Sequence, residues 1–366
     1  MPPYRFFVKS MNDRQRIEKL SIEQKAKLLT GTGFWKSAEC DDIGLEAFTM
    51  SDGPHGLRVQ DKMPNHLGIG TSCPSTCFPT AVIMACSWDE ELGEELGCYL
   101  GAEAAYMGVS MVLGPGLNIK RSPKCGRNFE YFSEDAYLSG KLAAAYVRGI
   151  QANGTASCIK HFAVNSRERA RMVYDCRVDE QTLRETYLTG FEIAVKEGRP
   201  AAVMTAYNKV NGEYCNSSRN LVGDILRGEW GFDGLVVSDW GGTYDKAAAV
   251  EAGVDLEMPK CSFSAEEVVR AVKEGRLDEK FVNESVERQL NFSRRVRAAD
   301  IKDVDWIAHS RFARRCAENS LVLLKNDDNA LPLNTTERVA LIGDFARNPR
   351  YQGAGSSLVN PTFLDN

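Results

Sequence analysis

One pattern recurs along this chain: a short apolar run, a polar residue that closes it, and then a stretch with helical spacing. The six apolar runs are residues 45–52, 109–118, 155–161, 201–208, 235–239 and 254–257. Near-continuous apolar runs of this length are typical of strands buried on both faces, as in a parallel sheet. Six units of this kind in one chain predict an α/β fold and favour a barrel over an open sheet.

Helix start signals lie between these runs. Ser87 with Glu90, and Ser264 with Glu267, have the spacing of a capping box ahead of an amphipathic stretch. Asp179 has the place of an N-cap before a third helical stretch. We therefore expect a helix to begin at each of these three places.

The strand–helix pattern changes near residue 302. A helix is predicted over 310–319, a strand over 339–343, and a loop rich in glycine and serine over 353–357. A lone strand cannot make a domain. We expect a barrel domain over residues 1–305, and a linker helix with the first strand of a second, incomplete domain over residues 306–366.

Composition narrows the classes of partner. The 366 residues carry 45 lysines and arginines against 50 aspartates and glutamates, a net charge of −5, which argues against a nucleic-acid-binding protein. No apolar run approaches the ~18 residues that span a bilayer. The 11 scattered cysteines, without an export signal, predict reduced thiols and a cytoplasmic location.

Two features of the sequence could suggest a zinc site or a phosphate-binding loop, but neither has the full pattern of such a site. Cys73 and Cys77, near His55 and His66, lack the second regular pair of a zinc site. The GAGSS loop lacks the lysine and the helix of a phosphate-binding loop. The sequence therefore predicts no metal and no cofactor.

Polar residues close all six apolar runs. They are Asp52, Asn118, Lys160 with His161, Tyr207 with Asn208, Asp239, and Glu257. Polar residues follow any buried strand, because loops are solvated. In α/β barrels, however, the active site lies at the carboxyl ends of the strands, so six such positions predict a site there.

Three of the candidates have an alternative explanation. Asp239 before Trp240 offers a rigid carboxylate beside a flat indole that suits the C–H face of a sugar, but the pair could also be a helix cap and a core tryptophan. Asp52, in a tight turn, could accept hydrogen bonds from hydroxyls or could form an Asx turn. Arg127 could belong to the site or form a salt bridge with a local carboxylate such as Glu130.

Eight motifs in order give the chain a family resemblance from about Leu20 onward. They are SDGPHGLR (51–58), CFPTAVIMACSWD (77–89), RSPKCGRNFEYFSED (121–135), KHFAVN (160–165), VDEQTLRETYL (178–188), MTAYNKVNG (204–212), GEWGFDGLVVSDWG (228–241) and AGVDLEMP (252–259). Together they make the chain resemble glycoside hydrolase family 3, in its β-glucosidase-like branch.

The resemblance implies a (β/α)8-type barrel followed by an α/β sandwich, here truncated, and retaining hydrolysis of a β-glycosidic bond at the non-reducing end. It places Asp239 on the nucleophile and Tyr207 beside it. It places Met204 and Trp240 on the wall of the pocket. The positions that hold the hydroxyls of the sugar are Asp52, Arg127, Lys160 and His161. The implied partners are a β-linked glucoside or oligosaccharide and the rest of the second domain, in cis or in trans.

One departure concerns the second carboxyl group. Retaining hydrolysis needs two carboxyl groups ~5 Å apart. In the family the acid/base glutamate comes from the second domain, beyond residue 366, and Glu257 does not match its position. We therefore expect a truncated or split enzyme that is inactive by itself on natural substrates.

Three other functions stay open. The chain could be a β-xylosidase or another β-glycosidase of the same family. It could be a barrel enzyme that forms a Schiff base on Lys160, where desolvation favours the free amine. It could also be a barrel that binds sugar without catalysis.

Overall fold

The computed structural model describes residues 11–60, 72–334, 336, 338–351 and 355–365. These residues contain eight strands. In chain order they are β1 (Met50–Ser51), β2 (Met111–Val112), β3 (Ala156–Phe162), β4 (Asp175–Cys176), β5 (Ala202–Thr205), β6 (Lys209–Val210), β7 (Glu213–Tyr214) and β8 (Leu235–Val237).

Five of the strands form a curled parallel sheet in the order β1-β2-β3-β5-β8. Parallel bridges extend it from Val237 to Leu256 and from Glu257 to Thr30. A parallel sheet in an α/β fold was predicted and is confirmed. The described residues form five strands in that sheet, however, rather than the eight of a complete barrel.

Each of the first five predicted apolar runs coincides with one strand of two to seven residues, and the run at 254–257 contributes bridges alone. Four of these strands lie inside their runs and are shorter than them, whereas β3 is as long as its run and extends one residue beyond it, to Phe162. Every residue of β3 is buried, as expected of a strand covered on both faces. The polar ends of the runs therefore lie at the carboxyl edge of the sheet.

Helices surround the sheet. They are α1 (Met11–Glu18), α2 (Ile22–Leu28), α3 (Ala81–Ala85), α4 (Glu90–Tyr106), α5 (Ala136–Gln151), α6 (Glu180–Thr182), α7 (Thr189–Ile193), α8 (Lys246–Ala252), α9 (Ser264–Lys273), α10 (Glu279–Arg295) and α11 (Trp306–Asn319). The described residues also form three π-helical segments, Leu183–Leu188, Ala194–Gly198 and Arg219–Glu229, and five short 3-10 segments. No helix among them is both long and apolar enough to cross a membrane.

A helix begins at each of the three expected places, but the expected side-chain cap is present at one of them. Asp179 caps α6, accepting a hydrogen bond from the amide of Thr182 at 2.9 Å. The capping box predicted at Ser87 is wrong: Asp89, one residue before the helix, caps α4 by accepting from the amide of Leu92.

The capping box predicted at Ser264 is also wrong. Helix α9 starts at Ser264 itself, and the residue before it makes no side-chain cap. Glu267 accepts a hydrogen bond from the amide of Lys246 instead, so a tertiary contact uses the carboxylate that the local motif would have used.

The segment after α11 differs from the prediction. The described residues between 321 and 351 form no strand, and the strand expected over 339–343 is wrong. Val339, Leu341 and Ile342 are exposed. A strand is stable only when it pairs with neighbours, and no described strand lies beside this segment.

Residues 355–365 pack back against the loop that follows β1. The Ser75 amide donates to the Asn360 carbonyl and the Thr362 amide donates to the Ser75 carbonyl, both at 2.9 Å. Val359 is buried against Gly56, where a Cβ would lie 2.8 Å from Val359. These contacts bring Ser356 and Ser357 to the carboxyl edge of the sheet.

Candidate active site

A small, partly open cleft lies at the carboxyl edge of the sheet. Its lining residues are Asp52, Arg127, Lys160, His161, Arg171, Met204, Tyr207, Asp239, Trp240 and Ser356. The structure thus brings all eight predicted site residues together and adds two more, Arg171 and Ser356.

The strands place the lining residues. Asp52 directly follows β1, and Lys160 and His161 directly precede Phe162, the last residue of β3. Met204 belongs to β5, and Asp239 lies two residues beyond β8. Because the carboxyl ends of neighbouring parallel strands meet at one edge, residues distant in sequence become neighbours there.

A hydrogen bond orients the Asp239 carboxylate, and the side chain remains partly exposed. One oxygen, Oδ1, accepts a hydrogen bond from the amide of Trp240 at 2.8 Å. The other, Oδ2, lies 3.6 Å from Nε2 of His161, and the side chain keeps 13% of its surface exposed. Tyr207 donates its hydroxyl proton to the carbonyl of Trp240 at 2.8 Å, which fixes the turn behind the carboxylate.

His161 faces Asp239 as a neutral ring. Burial lowers the pKa of His161 well below its usual value, and the cations Arg127 and Lys160 lower it further. Asn165 donates to the oxygen of Tyr131 at 3.2 Å, so the Tyr131 hydroxyl proton is free to bond Nδ1 of His161 at 3.0 Å. If Nδ1 accepts this bond, the proton of the neutral ring is on Nε2, the nitrogen nearer to Asp239.

A buried carboxylate, that of Glu130, forms ion pairs with the cations Arg127 and Lys160 of the cleft. Glu130 is 1% exposed, bonds Nε of Arg127, and lies 3.9 Å from Nζ of Lys160. Burial by itself would raise the pKa of Glu130, but Arg127 and Lys160 lower it to about 2. Ser357 also donates to Glu130 at 3.4 Å, which links residues 355–365 to this group.

Asp52 forms a second ion pair with Lys160. Its Oδ1 lies 3.7 Å from Nζ of Lys160, and its Oδ2 lies 4.0 Å from Nη1 of Arg58. Burial raises the pKa of Asp52, an effect that Lys160 and Arg58 oppose. Lys160 is thus an ion-pair partner of both Asp52 and Glu130, whereas a lysine that forms a Schiff base acts as a free amine.

The two residues that the sequence analysis missed come from loops. Arg171 holds its guanidinium 4.6 Å from the centre of the Tyr207 ring and pairs with Glu168 at 3.0 Å. In sequence it belongs to the charge-rich run SRERARM, which resembles a solvated loop. Ser356 belongs to the glycine- and serine-rich loop, to which the sequence analysis assigned no role in the site.

The remaining strand-end residues support the site or lie outside it. Asn118 bonds both backbone groups of His161 at 2.8 Å. Asn208 donates to the carbonyl of Ala163. Glu257 pairs with Lys246 at 3.5 Å and does not line the cleft.

The features set aside as ion sites are only partly described. His66 and residues 353 and 354 of the GAGSS loop lie outside the described residues. Across the described part of the chain, no three histidine, cysteine, aspartate or glutamate side chains are grouped to hold a metal ion.

The arrangement suits a polyhydroxylated ring. Charged groups of both signs line the cleft and can bond hydroxyls, while Trp240 and Met204 offer apolar surface. Asp239 lies beside the neutral imidazole of His161, and its carboxylate is accessible from the cleft. Such access is necessary for a carboxylate that acts as a nucleophile on a carbon atom.

Comparison with protein families gives two matches. The description "Glycosyl hydrolase family 3 N terminal domain" matches residues 29–292. The description "Glycosyl hydrolase family 3 C-terminal domain" matches residues 321–366.

Curated relatives match nearly the whole chain. A thermostable beta-glucosidase B of Acetivibrio thermocellus is 49% identical over 352 residues, which cover 95% of this chain and 47% of the relative. An exo-alpha-(1->6)-L-arabinopyranosidase of Bifidobacterium longum is 40% identical over 366 residues, covering 95% and 48%. The chain thus spans about half the length of these relatives.

Solved structures share the fold. Beta-glucosidase 3B from Thermotoga neapolitana, in complex with alpha-D-glucose, has a TM-score of 0.88 at 36% identity, over 96% of this chain and 52% of that one. A beta-glucosidase from Kluyveromyces marxianus, in complex with glucose, has a TM-score of 0.89 at 34% identity, over 96% and 43%.

Proposed function

The chain belongs to glycosyl hydrolase family 3, and from this membership we propose that it acts in a retaining β-glucosidase, through a covalent glycosyl-enzyme on Asp239. The observation that carries the proposal is the geometry of Asp239. Its carboxylate is fixed by the Trp240 amide, faces the neutral ring of His161, and opens into a cleft lined by charged groups.

The terminal sugar occupies the cleft. Asp52, Lys160, Arg127 and His161 bond its hydroxyls, and Trp240 contacts the apolar face of the ring. A site built from buried polar groups rejects a ligand that lacks the matching hydroxyls, because those groups would be left unpaired. The glucose bound in the Thermotoga and Kluyveromyces structures supports glucose as the sugar.

Catalysis then proceeds in two displacements. Asp239 attacks the anomeric carbon, the bond to the leaving oxygen breaks, and that oxygen takes a proton from a general acid. Water, deprotonated by the same group, next attacks the anomeric carbon and releases Asp239. His161, whose Nε2 lies 3.6 Å from Oδ2 of Asp239, stays beside the carboxylate in both steps.

The mechanism also needs a general acid beside the cleft. Among the described residues, the cleft is lined by two carboxylates, Asp239 and Asp52, and Asp52 is engaged with Lys160 and Arg58. We propose that the acid/base group comes from the second domain, as the family resemblance implies.

We also propose that the curled sheet belongs to a (β/α)8-type barrel. The bridges Val237–Leu256 and Glu257–Thr30, and the Lys36–Thr49 bridge beside β1, support a sheet that closes on itself. The proposed domain boundary after residue 305 falls at Asp305, the N-cap of α11.

Burst kinetics test this mechanism. A dinitrophenyl β-glucoside has a leaving group that needs no acid, so the chain should release about one dinitrophenolate per site and then slow down, because no base activates water. Azide, which needs no base, should restore turnover. Asp239→Asn should abolish the burst.

Two results would contradict the proposal. A burst that persists in Asp239→Asn would exclude Asp239 as the nucleophile. Efficient hydrolysis of cellobiose by the 366-residue chain would show that the general acid lies within it.

A further inference from the structure

An exposed aromatic surface lies beside the cleft. Tyr214 and Tyr244 stack with ring centres 3.9 Å apart and planes 21° apart. Tyr244 is 42% exposed, and Met172 and Val173 beside it are 38% and 67% exposed. We call these four residues the tyrosine platform.

The platform is continuous with the cleft through three segments. Arg171 lines the cleft, and the carbonyl of the next residue, Met172, accepts the Tyr244 hydroxyl proton at 2.9 Å. Trp240 lines the cleft four residues before Tyr244. Tyr207 lines the cleft and leads into the β6–β7 hairpin that carries Tyr214.

Electrostatics agree with this proximity. Burial raises the pKa of Tyr244 to about 12, with smaller contributions from Tyr214 and from the carboxylate of Asp239. The phenol therefore lies within electrostatic reach of the proposed nucleophile. Lys209 places its ammonium 4.6 Å from the centre of the Tyr214 ring, which holds that ring in place under Tyr244.

We propose that the tyrosine platform binds the leaving-group ring of the substrate, the ring attached to the anomeric carbon of the sugar in the cleft. This inference rests on the proposed function. A leaving group must extend out of the cleft, and a stacked tyrosine pair offers a rigid, flat surface for the apolar face of a sugar or for an aromatic ring. Binding energy gained there can also promote the reaction at the anomeric carbon.

Calorimetry with two hydrolysis-resistant thioglucosides tests the platform. Phenyl 1-thio-β-D-glucopyranoside carries a leaving-group ring, and methyl 1-thio-β-D-glucopyranoside does not. The chain should bind the phenyl compound more tightly than the methyl compound. Tyr244→Ala should reduce that preference about three- to tenfold, as expected for loss of one aromatic contact, and leave the methyl affinity unchanged.

Two variants serve as controls. Tyr244→Phe keeps the ring and should keep most of the preference. Tyr106→Ala removes a tyrosine that is also 42% exposed but lies at the end of α4, ahead of β2, at the opposite edge of the sheet, and it should change neither affinity. The same series with a sulfur-linked cellobioside shows whether a sugar ring uses the platform as an aromatic ring does.

The outcomes separate the two proposals. An unchanged phenyl preference in Tyr244→Ala, with methyl binding intact, would overturn the platform and leave the proposed function standing. Loss of methyl binding in that variant would also overturn it, because Tyr244 would then support the cleft itself. Failure of the unaltered chain to bind either thioglucoside would overturn the proposed function and the platform together.

Discussion

The buried charges around the cleft hold one another in place. Glu130 lies behind Arg127 and Lys160, and Asp52 lies on the other side of Lys160. A buried cation without such a partner costs several kcal/mol, so these carboxylates let two cations face a ligand in a desolvated site. Under the proposed function, the hydroxyls of the sugar would meet side chains that are already oriented.

His55 makes stability depend on pH. It is 3% exposed, and burial lowers its pKa from 6.5 to about 4, against the opposing effect of Glu130. Below pH ~6.5 His55 becomes protonated in the unfolded chain but stays neutral in the folded chain. The free energy of unfolding therefore falls as the pH falls toward 4. His55 should account for a loss of about 2.5 kcal/mol between pH 7.5 and 4.5.

Urea unfolding at the two pH values checks this expectation. His161, whose pKa is lowered in the same direction, contributes in both proteins, so the comparison uses His55→Gln against the unaltered chain. The variant should lose about 2.5 kcal/mol less than the parent on acidification. Equal losses in the two proteins would show that His55 is not held neutral.

At the scale of elements, α4 and α5 approach each other through glycines. A Cβ at Gly97 would lie 2.4 Å from the Tyr146 carbonyl oxygen, and one at Gly101 would lie 2.4 Å from that of Ile150. Gly93, one turn before Gly97 and also buried, would place its Cβ no nearer than 3.8 Å to any atom. Backbone contact, rather than side-chain packing, thus sets the helix spacing at two of the three positions.

Gly101→Ala and Gly93→Ala should therefore change stability in opposite directions. Alanine favours a helix by up to ~1 kcal/mol over glycine, so Gly93→Ala should stabilise by up to that amount. Gly101→Ala should destabilise by about 1–3 kcal/mol, because the backbones must separate. Thermal or urea unfolding measures both, and a stabilised Gly101→Ala variant would contradict the close approach.

The sequence predicted the site better than it predicted the loops. Strand ends such as Asp52 and Asp239 could be found because buried parallel strands show long apolar runs, and each run ends at the same edge of the sheet. Arg171 could not be found, because its place follows from tertiary stacking on Tyr207 and its local sequence resembles a solvated run. Ser356 reaches the cleft through backbone pairing of Ser75 with residues more than 280 positions away.

Other errors have a similar cause. The strand expected over 339–343 has an apolar sequence but no described strand to pair with. At Ser264 a tertiary bond to Glu267 replaces the local capping box. A local sequence pattern indicates which secondary structure a segment favours. Whether that structure forms depends on tertiary contacts with residues elsewhere in the chain.

At the scale of the whole molecule, the two matched family regions differ in packing. Helix α11 packs on α4 through a 2.7 Å pair between His309 and Glu103 and a stack of Phe312 on Tyr99. Beyond it, exposed apolar side chains accumulate along the described part of 321–345. They are Leu321, Val322, Leu323, Leu324, Leu331, Leu333, Val339, Leu341, Ile342 and Phe345.

This exposed apolar surface should make the 366-residue chain self-associate, because such patches are rarely left open in soluble monomers. Leu324 and Ile342 are 92% and 94% exposed. Changing both to serine should reduce association without lowering the unfolding midpoint, since neither side chain is buried. Light scattering across a concentration series measures this, and a monodisperse monomer of the unaltered chain would contradict it.

We have proposed Asp239 as the nucleophile of a retaining glycosidase. The most direct test of this proposal is mass spectrometry of the chain after treatment with 2,4-dinitrophenyl 2-deoxy-2-fluoro-β-glucoside, which traps the glycosyl-enzyme. We predict one added fluoroglucosyl group, located on the peptide that contains Asp239 and absent from Asp239→Asn. A label on another residue, or an equal label in Asp239→Asn, would contradict the account.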